Sequence, residues 1–87
     1  MNNEIVNPLK GKELRDLARS NPENAYKYLE ENKQLWIQIA TKDPFDSADA
    51  LEEFEPSEAG KLISELPTLI SVKIFGSLRP RAIIEIV

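Results

Sequence analysis

The densest group of potential ligand side chains is a run of carboxylates in the middle of the 87-residue chain. On a helix that begins near Asp46, the residues Asp46, Asp49 and Glu53 follow the spacing i, i+3, i+7 and share one face. Carboxylate oxygens are the ligands that Mg²⁺ prefers, and Mg²⁺ keeps several of its waters. The run therefore predicts a weak Mg²⁺ surface. Its seven acidic residues, with no basic residue among them, are Asp43, Asp46, Asp49, Glu52, Glu53, Glu55 and Glu58.

The same run also has a simpler interpretation as a solvated helical surface. Acidic side chains in the first turn of a helix complement the positive end of its dipole, and they keep a small domain soluble. Glu52 lies close to the predicted metal face and is, with Glu58, a weaker candidate ligand. The calcium-loop pattern Asp-x-Asp-x-Asp-Gly does not occur, so a tight EF-hand site is not expected. Both interpretations stay open, and neither predicts a tightly bound cofactor.

Side chains for covalent or acid–base catalysis are scarce. The chain contains no Cys and no His, which excludes thiol nucleophiles, the usual zinc ligands and the commonest general base. The serines belong to no recognisable nucleophile motif, and the three glycines are too far apart to form a phosphate-binding loop. We therefore expect a domain that is not an enzyme.

Prolines divide the chain into short segments. Pro22, Pro44, Pro56, Pro67 and Pro80 each suit the first turn of a helix, where the missing N–H leaves no hydrogen bond unmade. Helices of about ten residues are unstable alone and must share a core. The second and third predicted helices could also run as one. The full set of predicted helices covers 12–20, 22–31, 33–41, 46–54, 56–65, 67–77 and 80–87.

The segments repeat a common pattern, which predicts the fold class. Each ends in an apolar pair followed within one residue or so by proline, as in Leu62, Ile63 and Leu66 before Pro67. Repeated short helices stack in helical solenoids. We expect residues 1–11 to form an irregular arm and residues 12–87 to form a single all-α domain. Its predicted architecture is a solenoid-like, armadillo-like stack of five to seven short helices.

Candidate core and interface residues follow from helical spacing. Tyr28 falls at the edge of the predicted core side of its helix, where it is either an ordinary boundary residue or an interface residue. Ile83, Ile84 and Ile86 belong to an apolar run that ends the chain, which indicates a docking surface or a domain that continues in a longer protein. The aromatic residues whose positions fit a core are Tyr26, Trp36, Phe45, Phe54 and Phe75. For Trp36 the alternative is an interface residue that contributes much of the binding energy.

Charge and hydropathy limit the classes of partner. The net charge of −4 and the scattered basic residues disfavour nucleic acid as a ligand, because phosphate-backbone binding depends on clustered Lys and Arg. No apolar stretch reaches the roughly 18 residues of a membrane-spanning helix, and the first residues lack the features of a signal peptide. We expect a cytoplasmic domain without direct membrane insertion, whose partners are proteins.

The segment DSADALEEFEPSEAGKLISELP, residues 46–67, resembles the cytosolic N-terminal domain of MgtE-type magnesium transporters. That family repeats acid–Ala–x–Leu–x–x–Leu–x–Pro units, and the likeness covers about half of this chain. The resemblance implies a superhelix of short α-helices whose acidic surfaces meet neighbouring domains through Mg²⁺. Asp46, Asp49 and Glu53 are then the positional candidates. The chain departs from the family where Phe54 replaces an aliphatic residue and where its last units carry basic residues.

Three functions follow as expectations. The first is a regulatory or docking domain, the cytosolic Mg²⁺-sensing part of an MgtE-type transporter. The second rests on a likeness to FliG, the flagellar motor switch protein, whose armadillo-like helices also repeat Leu-x-x-Leu-x-Pro and join protein subunits without an ion. The third is an adaptor that associates with itself as a homo-oligomer.

Overall fold

The computed structural model describes residues 10–80, and every regular element in that range is an α-helix. The all-α prediction is therefore confirmed. The predicted arm overlaps the first helix by one residue, Gly11, and the predicted helix 80–87 lies outside the described residues apart from Pro80. The six helices are α1 (Gly11–Ser20), α2 (Pro22–Glu31), α3 (Lys33–Lys42), α4 (Pro44–Leu51), α5 (Pro56–Ser64) and α6 (Thr68–Ser77).

Three of the six helices within residues 10–80 begin at a proline that the sequence places at a helix start. Pro22, Pro44 and Pro56 are the first residues of α2, α4 and α5, where proline needs no backbone donor. At α2 the Asn21 side chain also accepts a hydrogen bond from the Asn24 backbone N–H at 3.3 Å. Pro67 differs, because it takes the capping position and α6 begins one residue later.

Asn32 separates α2 from α3, so the alternative of one continuous helix is wrong. Its backbone leaves the helical conformation, with φ −133° and ψ 61°. The Asn32 side-chain amide donates to the Tyr28 carbonyl at 2.8 Å, which satisfies one acceptor at the end of α2. A side chain that bonds its own helix end in this way favours termination over propagation.

The predicted helix 46–54 is shifted relative to α4. The helix begins two residues earlier, because Asp43 and Pro44 form its start, and it ends at Leu51. The next three residues form a turn, in which the Glu53 and Phe54 backbone N–H groups donate three residues back to Ala50 and Leu51. Glu53 therefore lies beyond the helix on which its alignment with Asp46 was predicted.

Trp36 is the largest fully buried side chain among residues 10–80. Its indole Nε1–H donates to the Leu62 carbonyl of α5 at 2.8 Å, so its one polar atom is satisfied inside the core. Phe54 is buried and meets Tyr26 edge to face, with ring centroids 5.9 Å apart. Leucines and isoleucines from the other helices complete this core: Leu14, Leu29, Leu51, Leu62 and Ile74.

Phe45 is not part of the core, and the prediction for this residue is wrong. It is 74% exposed, near the start of α4. The buried side of that helix consists of Ser47, Ala48, Ala50 and Leu51, and at about 100° per residue Phe45 lies on the opposite side, with Asp49.

The most extensive helix pairing joins α1 to α4, and the pairs α1–α2 and α4–α6 are equal in second place. Small residues allow the first of these pairs to approach closely. A Cβ added at Gly11 would clash with the Asp43 Cβ, so only glycine fits at that contact. Two of these pairs, α1–α4 and α4–α6, join helices that are not consecutive along the chain, and the solenoid-like stack stays a prediction.

Candidate functional site

Two of the three predicted metal ligands form ion pairs with arginines of α1. Arg15 donates from Nη1 to Asp46 Oδ1 at 2.9 Å, and both side chains are half-buried. One turn further along α1, Arg19 Nε lies 3.6 Å from Glu53 Oε2. We call this contact the α1–α4 seam: Gly11, Arg15 and Arg19 on one side, and Asp43, Asp46 and Glu53 on the other. At the start of the seam, the Gly11 backbone N–H donates to Asp43 Oδ2 at 3.1 Å.

The remaining carboxylates of the run have separate surroundings. Asp49 is half-buried, and no basic side chain among residues 10–80 lies within 4 Å of it. Glu52 binds Arg79 twice, to the guanidinium Nε at 3.3 Å and to the backbone N–H at 3.1 Å. Glu58 accepts from the Glu55 backbone N–H at 3.3 Å, a contact typical of an acid in the first turn of a helix.

The structure does not bring Asp46, Asp49 and Glu53 together as a ligand set. Among residues 10–80 there is no group of three or more acidic side chains that could hold a metal ion. The sequence pattern did not predict the arginine partners, because α1 is some 30 residues away from α4 along the chain. The spacing i, i+4 of Arg15 and Arg19, close to one helical turn, was the available signal.

A second group of charges links α2 and α3 to α5 and the residue that follows it. Lys61 Nζ donates to Glu30 Oε1 at 2.7 Å, and this hydrogen bond raises the pKa of Lys61 above its ordinary value. Burial raises the pKa of the neighbouring Tyr26, and the charge of Glu30 adds to this effect. Lys33 and Glu65 form a longer ion pair at 3.6 Å. These contacts hold helices together, and no predicted site residue belongs to them.

Tyr28 lies at the boundary of the core, as its spacing predicts. Its side chain is partly buried against the core cluster, and its carbonyl receives the Asn32 side chain. An interface role for Tyr28 stays a prediction. The other predicted interface residues, Ile83, Ile84 and Ile86, lie outside the described residues.

The clearest unpartnered surface in the described part of the chain is on α6. Leu69 is 80% exposed and Val72 is 62% exposed, whereas Ile74 on the opposite side is fully buried. At about 100° per residue, Lys73 and Gly76 lie in the same stripe as these two residues. We call Leu69, Val72, Lys73 and Gly76 the α6 face. The sequence did not indicate this face, because Leu69 and Val72 cannot be told from core residues by residue type alone.

A groove between α5 and α6 adjoins this face. Its volume is about 470 Å³, and its lining carries no charged side chain. Two of its hydroxyls are already bonded within their helices, Ser64 to the Lys61 carbonyl at 2.6 Å and Ser71 to the Thr68 carbonyl at 2.9 Å. The groove therefore suits an apolar group better than an ion. Its lining residues are Gly60, Ile63, Ser64, Leu66, Thr68, Ser71 and Phe75.

Comparison of the chain with protein-family models, with curated proteins and with solved structures finds no match. The resemblances to MgtE-type domains and to FliG therefore stay predictions. None of the helices within residues 10–80 has the length and apolar character needed to cross a membrane.

Proposed function

We propose that this chain is a non-catalytic docking module that binds another protein through the α6 face and the adjoining groove. The observation that supports the proposal is the exposure of Leu69 and Val72 on a helix with a single charged residue. Large apolar side chains that are exposed next to one another often mark a surface that binds a partner. Single exposed apolar residues are common, but here two of them lie together beside an uncharged groove.

Burial of Leu69 and Val72 would supply part of the energy for binding a partner at this surface. Full burial of a Leu or Val side chain contributes about 1.5–3 kcal/mol each. The groove offers a further pocket for a partner side chain beside Phe75. A small set of such buried anchors carries most of the binding energy in protein interfaces, although association itself costs several kcal/mol. The lining of the groove brings no carboxylate or amine into position for catalysis, which favours binding over chemistry.

The magnesium-sensing function implied by the MgtE resemblance would use a different surface, the α1–α4 seam. Asp46 and Glu53 would have to exchange Arg15 and Arg19 for the ion. A Mg²⁺ titration followed by amide NMR at constant ionic strength tests this function. Saturable shifts at residues 46–53 that disappear in Asp49→Asn would support it, and uniform small shifts would contradict it. Subunit joining of the FliG kind is a special case of the docking module, whereas self-association is a separate alternative in which a second copy of the chain is the partner.

Site-specific photo-crosslinking in cells tests the docking proposal. A photoreactive amino acid replaces Val72 in one variant and Glu31, an exposed residue of α2, in a matched control. We expect a discrete adduct from position 72 that is absent from position 31 and is lost when Leu69→Gln is added. The crosslinked protein, once purified, should bind the unmodified chain at least tenfold more tightly than it binds the Leu69→Gln variant. Adducts that do not distinguish the two positions would overturn the proposal.

A further inference from the structure

The α6 face has a shape that selects among partner elements. Leu69 and Val72 form a ridge with the spacing i, i+3, and Gly76 follows one turn later. No heavy atom outside its own helix neighbourhood lies within 4 Å of the position that a Cβ at Gly76 would occupy, so the ridge ends in an open notch. The stripe from Leu69 to Gly76 is about 10 Å long, or two helical turns.

This shape fits a helix better than an extended strand. A strand binds by adding its backbone to an unpaired sheet edge, and no such edge exists among residues 10–80, where the backbone groups bond within helices. Helices instead pack through ridges and grooves of side chains, and a glycine allows close approach of the two backbones. The partner element of best fit is therefore an amphipathic helix with an apolar ridge of its own.

The charge of the face specifies a further property of that helix. Lys73 is the single charged residue of α6 and lies close to the centre of the face, next to Val72. No carboxylate among residues 10–80 lies within 4 Å of its ammonium group. An apolar helix that covers Leu69 and Val72 would place its flanking residues near this ammonium. A carboxylate at that position is attracted, and a basic residue is repelled.

The position of Lys73 also disfavours a second copy as the occupant. Two copies related by a twofold axis would contact each other through the same residues. Because Lys73 lies near the midpoint of the stripe, such a pair would bring the two ammonium groups together. The α6 face is thus better matched to a partner of opposite charge than to itself.

We infer that the α6 face binds an amphipathic helix of another protein, and that an acidic residue flanking the apolar ridge of that helix pairs with Lys73. This inference rests on the proposed function and adds the secondary structure and charge of the partner. The pairing is exposed and screened by salt, so its contribution is to specificity more than to affinity.

Two synthetic peptides test the inference with the full chain. Both are alanine-based helices with leucines at i, i+3 and i+7. One carries glutamates beside the leucines, and the other carries lysines at the same positions. Amide NMR of the isotope-labelled chain gives the location and affinity of binding. We expect the glutamate peptide to shift α6 residues and to bind about fivefold more tightly than the lysine peptide. Lys73→Glu should reverse this preference, and about 1 M NaCl should abolish it.

The outcomes separate this inference from the proposed function. Equal binding of both peptides at α6 would overturn the acidic partner and leave the docking module in place. No binding of either peptide would overturn the helical occupant, whereas the crosslinking result decides the docking module on its own. Concentration-dependent shifts of α6 without peptide would show a second copy on the face and would also overturn the inference.

A cysteine placed on the α6 face tests whether other residues of the same chain shield this face from solvent. The chain has no native Cys, so Val72→Cys can be compared directly with Ser20→Cys at an exposed control position. Similar rates of reaction with a maleimide are expected. A reaction at least tenfold slower at position 72 would show that the chain covers its own α6 face, and it would overturn the inference.

Discussion

The α1–α4 seam and the α6 face are both surfaces of short helices, but their side chains are used in opposite ways. The seam carries several charges, and Asp46 and Glu53 are paired with arginines across it. The α6 face carries one charge, and its apolar residues contact solvent. Charged residues stand out in a sequence, yet here they join two helices of the same domain. Exposed apolar residues look like core residues in a sequence, yet here they form the open surface.

The largest expected difference between the two surfaces is in the free energy of unfolding, when one leucine at each surface is replaced by alanine. Leu14 of α1 is fully buried beside the seam, so Leu14→Ala should lower the free energy of unfolding by about 2–5 kcal/mol. Leu69 of the α6 face is 80% exposed, so Leu69→Ala should change it by less than about 0.5 kcal/mol. Urea denaturation followed by circular dichroism measures both values. Similar losses at the two positions would show that the α6 face is already packed.

Gly11 of the α1–α4 seam and Gly76 of the α6 face allow a second matched test. Gly11→Ala would place a methyl group against the Asp43 Cβ, and we expect a loss of about 1–3 kcal/mol in the free energy of unfolding. Gly76→Ala meets open space, and the better helix propensity of alanine should add up to about 1 kcal/mol. Thermal denaturation of the two variants is the measurement. A stabilised Gly11→Ala variant would contradict the close contact between α1 and α4.

The ion pairs of the α1–α4 seam should contribute less to the free energy of unfolding than the buried contacts of Leu14 and Gly11. Asp46→Asn removes the charge partner of a half-buried arginine whose Nε is itself buried without an acceptor, and we expect a loss of about 1 kcal/mol. Glu53→Gln, at the longer and more exposed pair, should cost less than about 0.5 kcal/mol. A double-mutant cycle with Arg15→Met isolates the first pair. An additive cycle would show that Asp46 is not held by Arg15 and would favour its role as a metal ligand.

The smallest expected effect concerns alkaline pH and the α2–α5 contact. The folded-state pKa values of Tyr26 and Lys61 are both raised, so the folded state retains protons that the unfolded state loses. Stability should therefore be unaffected below about pH 9 and should fall as pH rises through about 10 to 11. Glu30→Gln removes one cause of each shift and should reduce the fall. Melting temperatures at about pH 9 and pH 11 measure it, and an equal fall in both proteins would exclude Glu30 as a cause.

Local signals in the sequence predicted the helices well. Proline with a preceding capping residue marks a helix start through local geometry, and Pro22, Pro44 and Pro56 confirm it. The contacts between helices that are distant in the sequence could not be predicted from these local signals. The exposure of Phe45 depends on the rotation of α4 relative to α1, which its own segment does not determine. The pairing of Asp46 with Arg15 depends on a contact between distant helices, so the acidic run looked unpartnered.

The indole hydrogen bond between Trp36 and the Leu62 carbonyl has a spectroscopic consequence. Trp36 is the only tryptophan in the chain, and it lies in the core between α3 and α5. Its fluorescence should therefore shift to longer wavelength when these helices separate and water reaches the ring. A ligand on the α6 face should leave the emission maximum unchanged. Trp36 is therefore an intrinsic fluorophore, and its emission maximum distinguishes unfolding from binding in a single titration.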